Sequence, residues 1–152
     1  MAIRFEEITD KNFHECIDLE VHPEQKDCFY FKSNRPNVMS LAEAHIYKDH
    51  KVLAVYDGET MVGTVFYSPE NDFGGAWLTR LMIDRRYQGK GHGRRAMEML
   101  IGRIREETHG KCARLGTSYE PDNRIAERLY KSLGFRPSGE LLHGQTMVWL
   151  KL

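Results

Sequence analysis

The stretch Gln88-Gly89-Lys90-Gly91-His92-Gly93-Arg94-Arg95 constrains this chain more than any other. It follows a β-favouring run that ends at Ile83, and it precedes apolar residues at helical spacing: Ala96, Met97, Leu100, Ile101 and Ile104. Strand, glycine turn and helix are therefore expected in that order, with the strand over 76–83, the helix over 93–109 and Gly110 as its stop. Alternating glycines let a backbone bend tightly and approach a ligand closely. The helix that follows aims unpaired N–H groups and the positive end of its dipole into the turn. Lys90, Arg94 and Arg95 add positive charge at the same place. The turn reads as a site for a phosphate or pyrophosphate, because three glycines with three cations exceed what a tight turn requires.

Two nucleotide readings fail on particular positions. A Walker loop needs Gly-Lys-Ser/Thr at the helix start, and here Gly93-Arg94-Arg95 supplies no hydroxyl for magnesium. The dinucleotide fingerprint G-x-G-x-x-G needs glycine where Arg94 stands. It also needs an acid about 20 residues further on, where Gly110, Lys111 and Cys112 lie. Bulk charge does not point to nucleic acid either: among 152 residues, 22 basic side chains balance 22 acidic ones. Cys16, Cys28 and Cys112 are odd in number and fit no zinc spacing, which predicts free thiols in a reducing compartment. No histidine and carboxylate set has metal spacing, so no metal is expected. With no apolar run for a signal peptide or a membrane span, the expectation is a soluble cytoplasmic protein without a membrane or nucleic-acid partner. No linker, repeat or low-complexity segment divides the chain, so 1–152 is read as a single domain.

The remaining elements follow from periodicity. Residues 3–8 alternate apolar and polar (Ile3, Phe5, Ile8) and fit a first strand. Thr9 or Asp10 caps a helix over 11–19, with Phe13, Cys16 and Ile17 on its apolar side. Residues 22–38 are polar and broken by prolines, although Phe29, Tyr30 and Phe31 need something to pack on. Ser40 and Glu43 have capping-box spacing and predict a helix to about residue 48. Strands over 53–56 and 61–67 flank Asp57-Gly58, a hairpin signal, and a loop over 68–75 follows. A strand over 113–119, a helix over 124–133 stopped by Gly134, and a closing strand pair over 135–142 and 146–152 complete the chain. This order predicts an α/β layered domain with a mixed, mostly antiparallel sheet.

Gln88-Gly89-Lys90-Gly91-His92-Gly93 resembles the Q/R-x-x-G-x-G/A motif of the GNAT N-acetyltransferase superfamily. Downstream, the segment from Asn123 to Phe135 resembles that family's N-x-x-A-x-x-L-Y-x-x-x-G-F. The stretches Ser40-Leu41-Ala42-Glu43-Ala44, Arg80-Leu81-Met82-Ile83-Asp84, Ser118-Tyr119-Glu120-Pro121-Asp122-Asn123 and Val148-Trp149-Leu150-Lys151-Leu152 are similar to bacterial spermine/spermidine acetyltransferases. The resemblance implies a splayed GNAT-type sheet flanked by helices, with acetyl-coenzyme A as co-substrate. It implies that Gln88, Gly89, Lys90, Gly91, His92, Gly93 and Arg94 hold the pyrophosphate, and that Leu81, Met82 and Ile83 meet the acetyl and pantetheine groups along the splayed strand. Asn123, Ala126 and Tyr130 are spaced i, i+3, i+7 and share a helical face; Ala126 is small enough for a cofactor arm to pass. Leu129 and Leu133 form a different stripe and read as core.

Acetyl transfer to an amine needs a base for the amine proton, a donor for the developing oxyanion and an acid for the leaving thiolate. The resemblance assigns the acid to Tyr130 and the oxyanion donor to a backbone N–H on 81–83. Glu120, at a strand end, leads the candidate bases ahead of Glu70 and Asp72. His45, His50 and His109 are expected at the surface, and His92 is expected to face solvent. Phe29, Tyr30 and Phe31 either wall the amine site or simply pack. The implied acceptor is a small primary amine such as spermidine or spermine, with Glu24, Asp27, Glu70, Asp72 and Glu120 on its side of the sheet. Other readings stay open: a protein or peptide amine, another small amine, a non-catalytic acyl-coenzyme A binding module, or a partner-binding domain whose glycine loop is only a turn. A homodimer is one open form of assembly.

Overall fold

The computed structural model describes residues 1–72 and 74–152. Seven strands form one sheet: β1 (Ile3–Glu7), β2 (Lys51–Asp57), β3 (Thr60–Asn71), β4 (Gly75–Ile83), β5 (Arg114–Tyr119), β6 (Arg136–Leu142) and β7 (Gln145–Lys151). Their spatial order is β1-β2-β3-β4-β5-β7-β6. Neighbours are antiparallel except β4 and β5, which run parallel across the helical crossover between them. The helices are α1 (Phe13–Asp18), α2 (Asn37–Ile46), α3 (His92–Glu107) and α4 (Arg124–Ser132), with a 3-10 turn at Pro23–Cys28. The mixed, mostly antiparallel layered architecture expected from the element order is the one observed.

Side-chain alternation along the strands divides the core in two. Leu53 and Val55 of β2 face the stripe Ala96, Met97, Leu100 and Ile104 of α3, all buried. Ala54 and Tyr56, one residue out of phase, face Cys16 and Leu19 near α1 on the opposite side. Each fully buried leucine or isoleucine of that stripe contributes about 1.5–3 kcal/mol. This is what clamps α3, and with it the glycine turn, onto the sheet. Tyr130 and Phe135 extend the same core beneath α4, with Leu129 and Leu133 packed against it as read from the sequence.

Several boundaries differ from expectation. α1 starts after Asn12, not at residue 11, because Asn12 Oδ1 accepts the Thr9 N–H at 2.8 Å and tightens the preceding turn. α2 starts three residues before the Ser40–Glu43 capping box. Ser40 lies inside the helix, where its hydroxyl donates to the Pro36 carbonyl, and Glu43 binds Arg80 at 2.9 Å. Tertiary partners have recruited both residues of a local signal. β3 runs to Asn71 through what reads as a loop, and Pro69 is accommodated in the irregular pairing between Ser68 and Asn71, where no ladder amide is required. The expected loop over 68–75 also includes Phe73, which lies outside the described residues.

The parallel pair β4–β5 is short. It comprises Ala76↔Leu115 and Trp77↔Gly116, followed by a Thr117 Oγ1 to Leu78 carbonyl bond of 2.8 Å. Trp77 and Trp149 meet edge-to-face, 5.6 Å between centroids, over Gly116, where a Cβ would lie 2.7 Å from each ring. Beyond Leu78 the two strands share no ladder pair, and a cleft opens between them.

Candidate active site

The cleft has a volume of about 920 Å³, within the usual range for a small-molecule site. The glycine turn forms one end. Gln88, Gly89, Gly91, Gly93 and Arg94 all line it, and the backbone there is free to meet a ligand. Gly89 and Gly91 have φ of 75° and 90°, values that L side chains rarely adopt, and no atom lies within 4 Å of a Cβ built on Gly89. Gly91 caps α3 with no side-chain hydrogen bond, which leaves the first amides of a 16-residue helix for a ligand. Two residues of the motif depart from expectation. Lys90 is exposed, its ammonium 5.9 Å from the Tyr87 ring rather than on the cleft wall. His92 does not face solvent: it is 5% exposed and bonded through both ring nitrogens, because it turns inward beneath the loop.

β4 supplies the floor. A bulge places Phe66 opposite Arg80 and Tyr67 opposite Leu78, leaving Thr79 as the extra residue. After it, the Met82 carbonyl faces β3, where it leaves Gly63 no room for a side chain, and the Asp84 amide donates to Val62 at 2.8 Å. Backbone groups alternate sides along a strand, so the amides of Leu81 and Ile83 turn toward β5, which does not pair them. Gln88 Nε2 donates to the Ile83 carbonyl at 2.9 Å and exchanges two amide bonds with Gln25 of the 3-10 turn. The Met82 side chain packs in the α1 core instead.

α4 supplies the opposite wall. Asn123 caps the helix by accepting the Ala126 N–H at 3.2 Å, and its amide reaches the Cys28 sulfur at 3.6 Å. Asn123, Ala126 and Tyr130 all line the cleft. The Tyr130 ring is held between Tyr119 at 5.9 Å and Phe135 at 5.3 Å. Burial pushes its phenol up to about 12. The group therefore keeps its proton at any ordinary working pH and can only donate it.

At the far end, Glu120 lines the cleft and accepts from Gln145 Nε2 at 3.2 Å. Glu70, Asp72, Glu24 and Asp27 are exposed and outside its lining. The periodicity had no way to point to Glu43, which lines the cleft with both Arg80 at 2.9 Å and the Tyr30 hydroxyl at 2.7 Å on the same oxygen. Arg80 also lies over the Phe31 and Phe66 rings at 4.8 and 5.2 Å. Phe29 and Tyr30 wall the cleft, while Phe31 stacks behind Phe29 at 5.5 Å. Among the described residues, no group of three His, Cys, Asp or Glu side chains gathers as a metal site.

An open glycine turn at a helix start, unpaired strand amides and a protonated tyrosine thus share one cleft, whose far wall carries Glu120, the Glu43–Arg80 pair and aromatic rings. Residues 18–135 match the profile of the Acetyltransferase (GNAT) family. The chain is 34% identical over 146 residues to the spermine/spermidine N(1)-acetyltransferase of Bacillus subtilis (strain 168), covering 93% of this chain and 92% of that one. Among solved structures, it is similar to the spermidine N-acetyltransferase of Vibrio cholerae in complex with CoA and spermine (TM-score 0.75, 15% identity, 98% and 95% of the two chains). It is also similar to the PaiA N-acetyltransferase of Thermoplasma acidophilum in complex with coenzyme A (TM-score 0.74, 12% identity, 100% of both chains). At these identities the two structures bear on the fold.

Proposed function

The chain belongs to the acetyltransferase (GNAT) family, and on that premise we propose that it transfers an acetyl group from acetyl-coenzyme A to a primary amine of a linear polyamine such as spermidine. The observation that carries this reading is the single cleft that joins the glycine turn, the β4 amides and Tyr130 to a far wall of carboxylates and rings. Acetyl-coenzyme A brings the activated thioester. The residues present suit it: open glycine backbone at a helix start for pyrophosphate, and an unpaired strand edge for the extended arm.

The chain's own groups then divide the work. Gln88, Gly89, Gly91, Gly93 and Arg94 bind and orient the pyrophosphate end. The Leu81 or Ile83 amide donates to the acetyl oxygen as negative charge develops on it. Tyr130 presents its hydroxyl proton to the departing sulfur. The burial that holds this proton also disfavours a bare thiolate, so the two groups are matched. Glu120 receives the amine proton directly or through water. Phe29, Tyr30 and Trp77 form the wall for the rest of a polycation through their ring faces, with Glu120 supplying negative charge and Glu43 held by Arg80. The three thiols are free, which suits the reducing cytoplasm where we place this single-domain enzyme.

The test is the specificity constant for spermidine against a lysine peptide and an aminoglycoside, at low and high salt. Spermidine should be best, and its advantage should shrink with salt, because each exposed ion pair contributes only about 0–1 kcal/mol and is screened. Equal constants, or a spermidine rate indifferent to salt, would remove the polyamine and leave the acetyltransferase.

Gly91→Val tests the co-substrate end. A β-branched residue at φ 90° is strained and adds bulk where the backbone meets phosphate. Coenzyme A affinity should fall about tenfold or more. A folded variant with unchanged affinity would show that the pyrophosphate lies elsewhere.

A further inference from the structure

His92 is the first residue of α3, beside the proposed pyrophosphate amides, yet it makes no part of the cleft lining. Its Nδ1 lies 3.0 Å from the Tyr87 carbonyl oxygen and its Nε2 lies 2.9 Å from Asp57 Oδ2. A carbonyl oxygen and a carboxylate can only accept hydrogen bonds. Both ring nitrogens must therefore donate, and the ring that satisfies both partners is the imidazolium. Asp57 is set up to receive it. Its other oxygen accepts the Ala2 N–H at 3.1 Å, and its carboxyl is held below the usual range, first by the His92 bond and then by that amide.

A cation in the first turn of a helix works against the helix dipole. Such a breach of a local rule at a functional loop needs a compensating reason. The reason is geometric. One bond fixes the carbonyl at the start of the Tyr87–Gly91 bend, and the other fixes the ring to the end of β2, where Arg4 also binds the Gly58 carbonyl. Asp57 neutralises the charge, so His92 acts on a bound anion through the shape of the turn. We propose that His92 is a positioning residue for the co-substrate: its doubly protonated ring, strapped between Asp57 and the Tyr87 carbonyl, holds the glycine turn in its pyrophosphate-binding shape, and losing one proton loosens that turn. The inference rests on the reading of the turn as the coenzyme A site.

The other charged or titratable groups around the ring are the Tyr87 phenol, 6.4 Å between ring centroids, Arg86 and Lys90 over that phenol ring, and the α-amino group of Met1, which acts on Asp57. Arginine, lysine and tyrosine ordinarily keep their protons until well above neutrality, whereas an α-amino group ordinarily titrates inside the experimental range. His92→Phe keeps that amine beside Asp57, so comparison with this variant subtracts its contribution. The phosphates of coenzyme A titrate too, so the reading is the difference between protein variants at each pH.

The experiment is calorimetric titration of coenzyme A between about pH 5.5 and 9.5. For the unaltered protein the dissociation constant should rise by about three- to tenfold across that range beyond the ligand's own change, the value of one lost hydrogen bond. His92→Phe should bind about tenfold more weakly at the acid end and lack that rise. Asp57→Asn should keep near-normal affinity and also lose the rise. Its carboxamide can donate to a neutral ring, which still donates to Tyr87, so both bonds survive without the second proton. A rise that persists in either variant, or His92→Phe affinity within twofold of the unaltered protein at the acid end, would overturn the proposal. Should His92→Phe fail to fold, Asp57→Asn still decides the matter. Absence of coenzyme A binding in the unaltered protein would instead overturn the reading of the turn itself, and this inference with it.

Discussion

Tyr130→Phe is expected to lower the turnover number by about 10²–10⁴-fold while leaving coenzyme A affinity nearly unchanged. The size follows from removing the proposed proton donor at the leaving group. The selectivity follows from the packing: the ring is 7% exposed, held by Tyr119 and Phe135, and phenylalanine keeps every apolar contact. Because burial pushes the phenol up to about 12, it does not titrate in the working range. The rise in rate toward alkaline pH, from an acceptor amine with a pKa near 10.4, should therefore survive in the variant at a lower level. Steady-state rates against pH, with calorimetric coenzyme A binding alongside, separate the two effects. An unchanged turnover number under conditions where chemistry limits the rate would take Tyr130 out of the mechanism.

The parts of the site legible in the sequence are those whose chemistry is local. The glycine turn and α4 are each built within a dozen residues, and backbone demands fix the residue types: glycine at positive φ, a capping Asn123, small Ala126 one turn on. What the sequence hides comes from groups far apart along the chain. Gln25 meets Gln88 across 63 positions, and Asp57 meets His92 across 35. The hidden part of the cleft wall is a cluster of Tyr30, Ser40, Glu43 and Arg80 from three separate segments. Ser40 and Glu43 also satisfy a local pattern, the capping box, so local reasoning places them at a helix start. Arg80, only 8% exposed in its side chain, outweighs that preference, because a buried guanidinium must be paired. The same rule accounts for the surface reading of His92: a histidine between glycines looks like a loop residue until its two acceptors are seen.

Gly63→Ala is expected to be the most damaging single methyl in the fold. Gly63 pairs with Ile83 on β4, and a Cβ there would run into the Met82 carbonyl oxygen and lie 2.8 Å from Ile83 Cδ1. A flexible side chain can move aside, but a backbone carbonyl inside a sheet ladder cannot do so without shifting its strand. Overpacking of this kind costs about 1–3 kcal/mol or more. For a chain of 152 residues that lowers the melting temperature by roughly 2–12 °C. The strand that must shift carries the Leu81 and Ile83 amides, so turnover should fall along with stability. Gly102→Ala is the internal control. Gly102 lies inside α3 with nothing within 4 Å of its Cβ position, and removing a mid-helix glycine should stabilise the fold by about 0.5–1 kcal/mol. Thermal unfolding of the two variants should therefore move in opposite directions from the same chemical change. If Gly63→Ala melts within a degree of the unaltered protein, β3 and β4 do not approach as closely as described, and the orientation assigned to the cleft-facing amides loses its support.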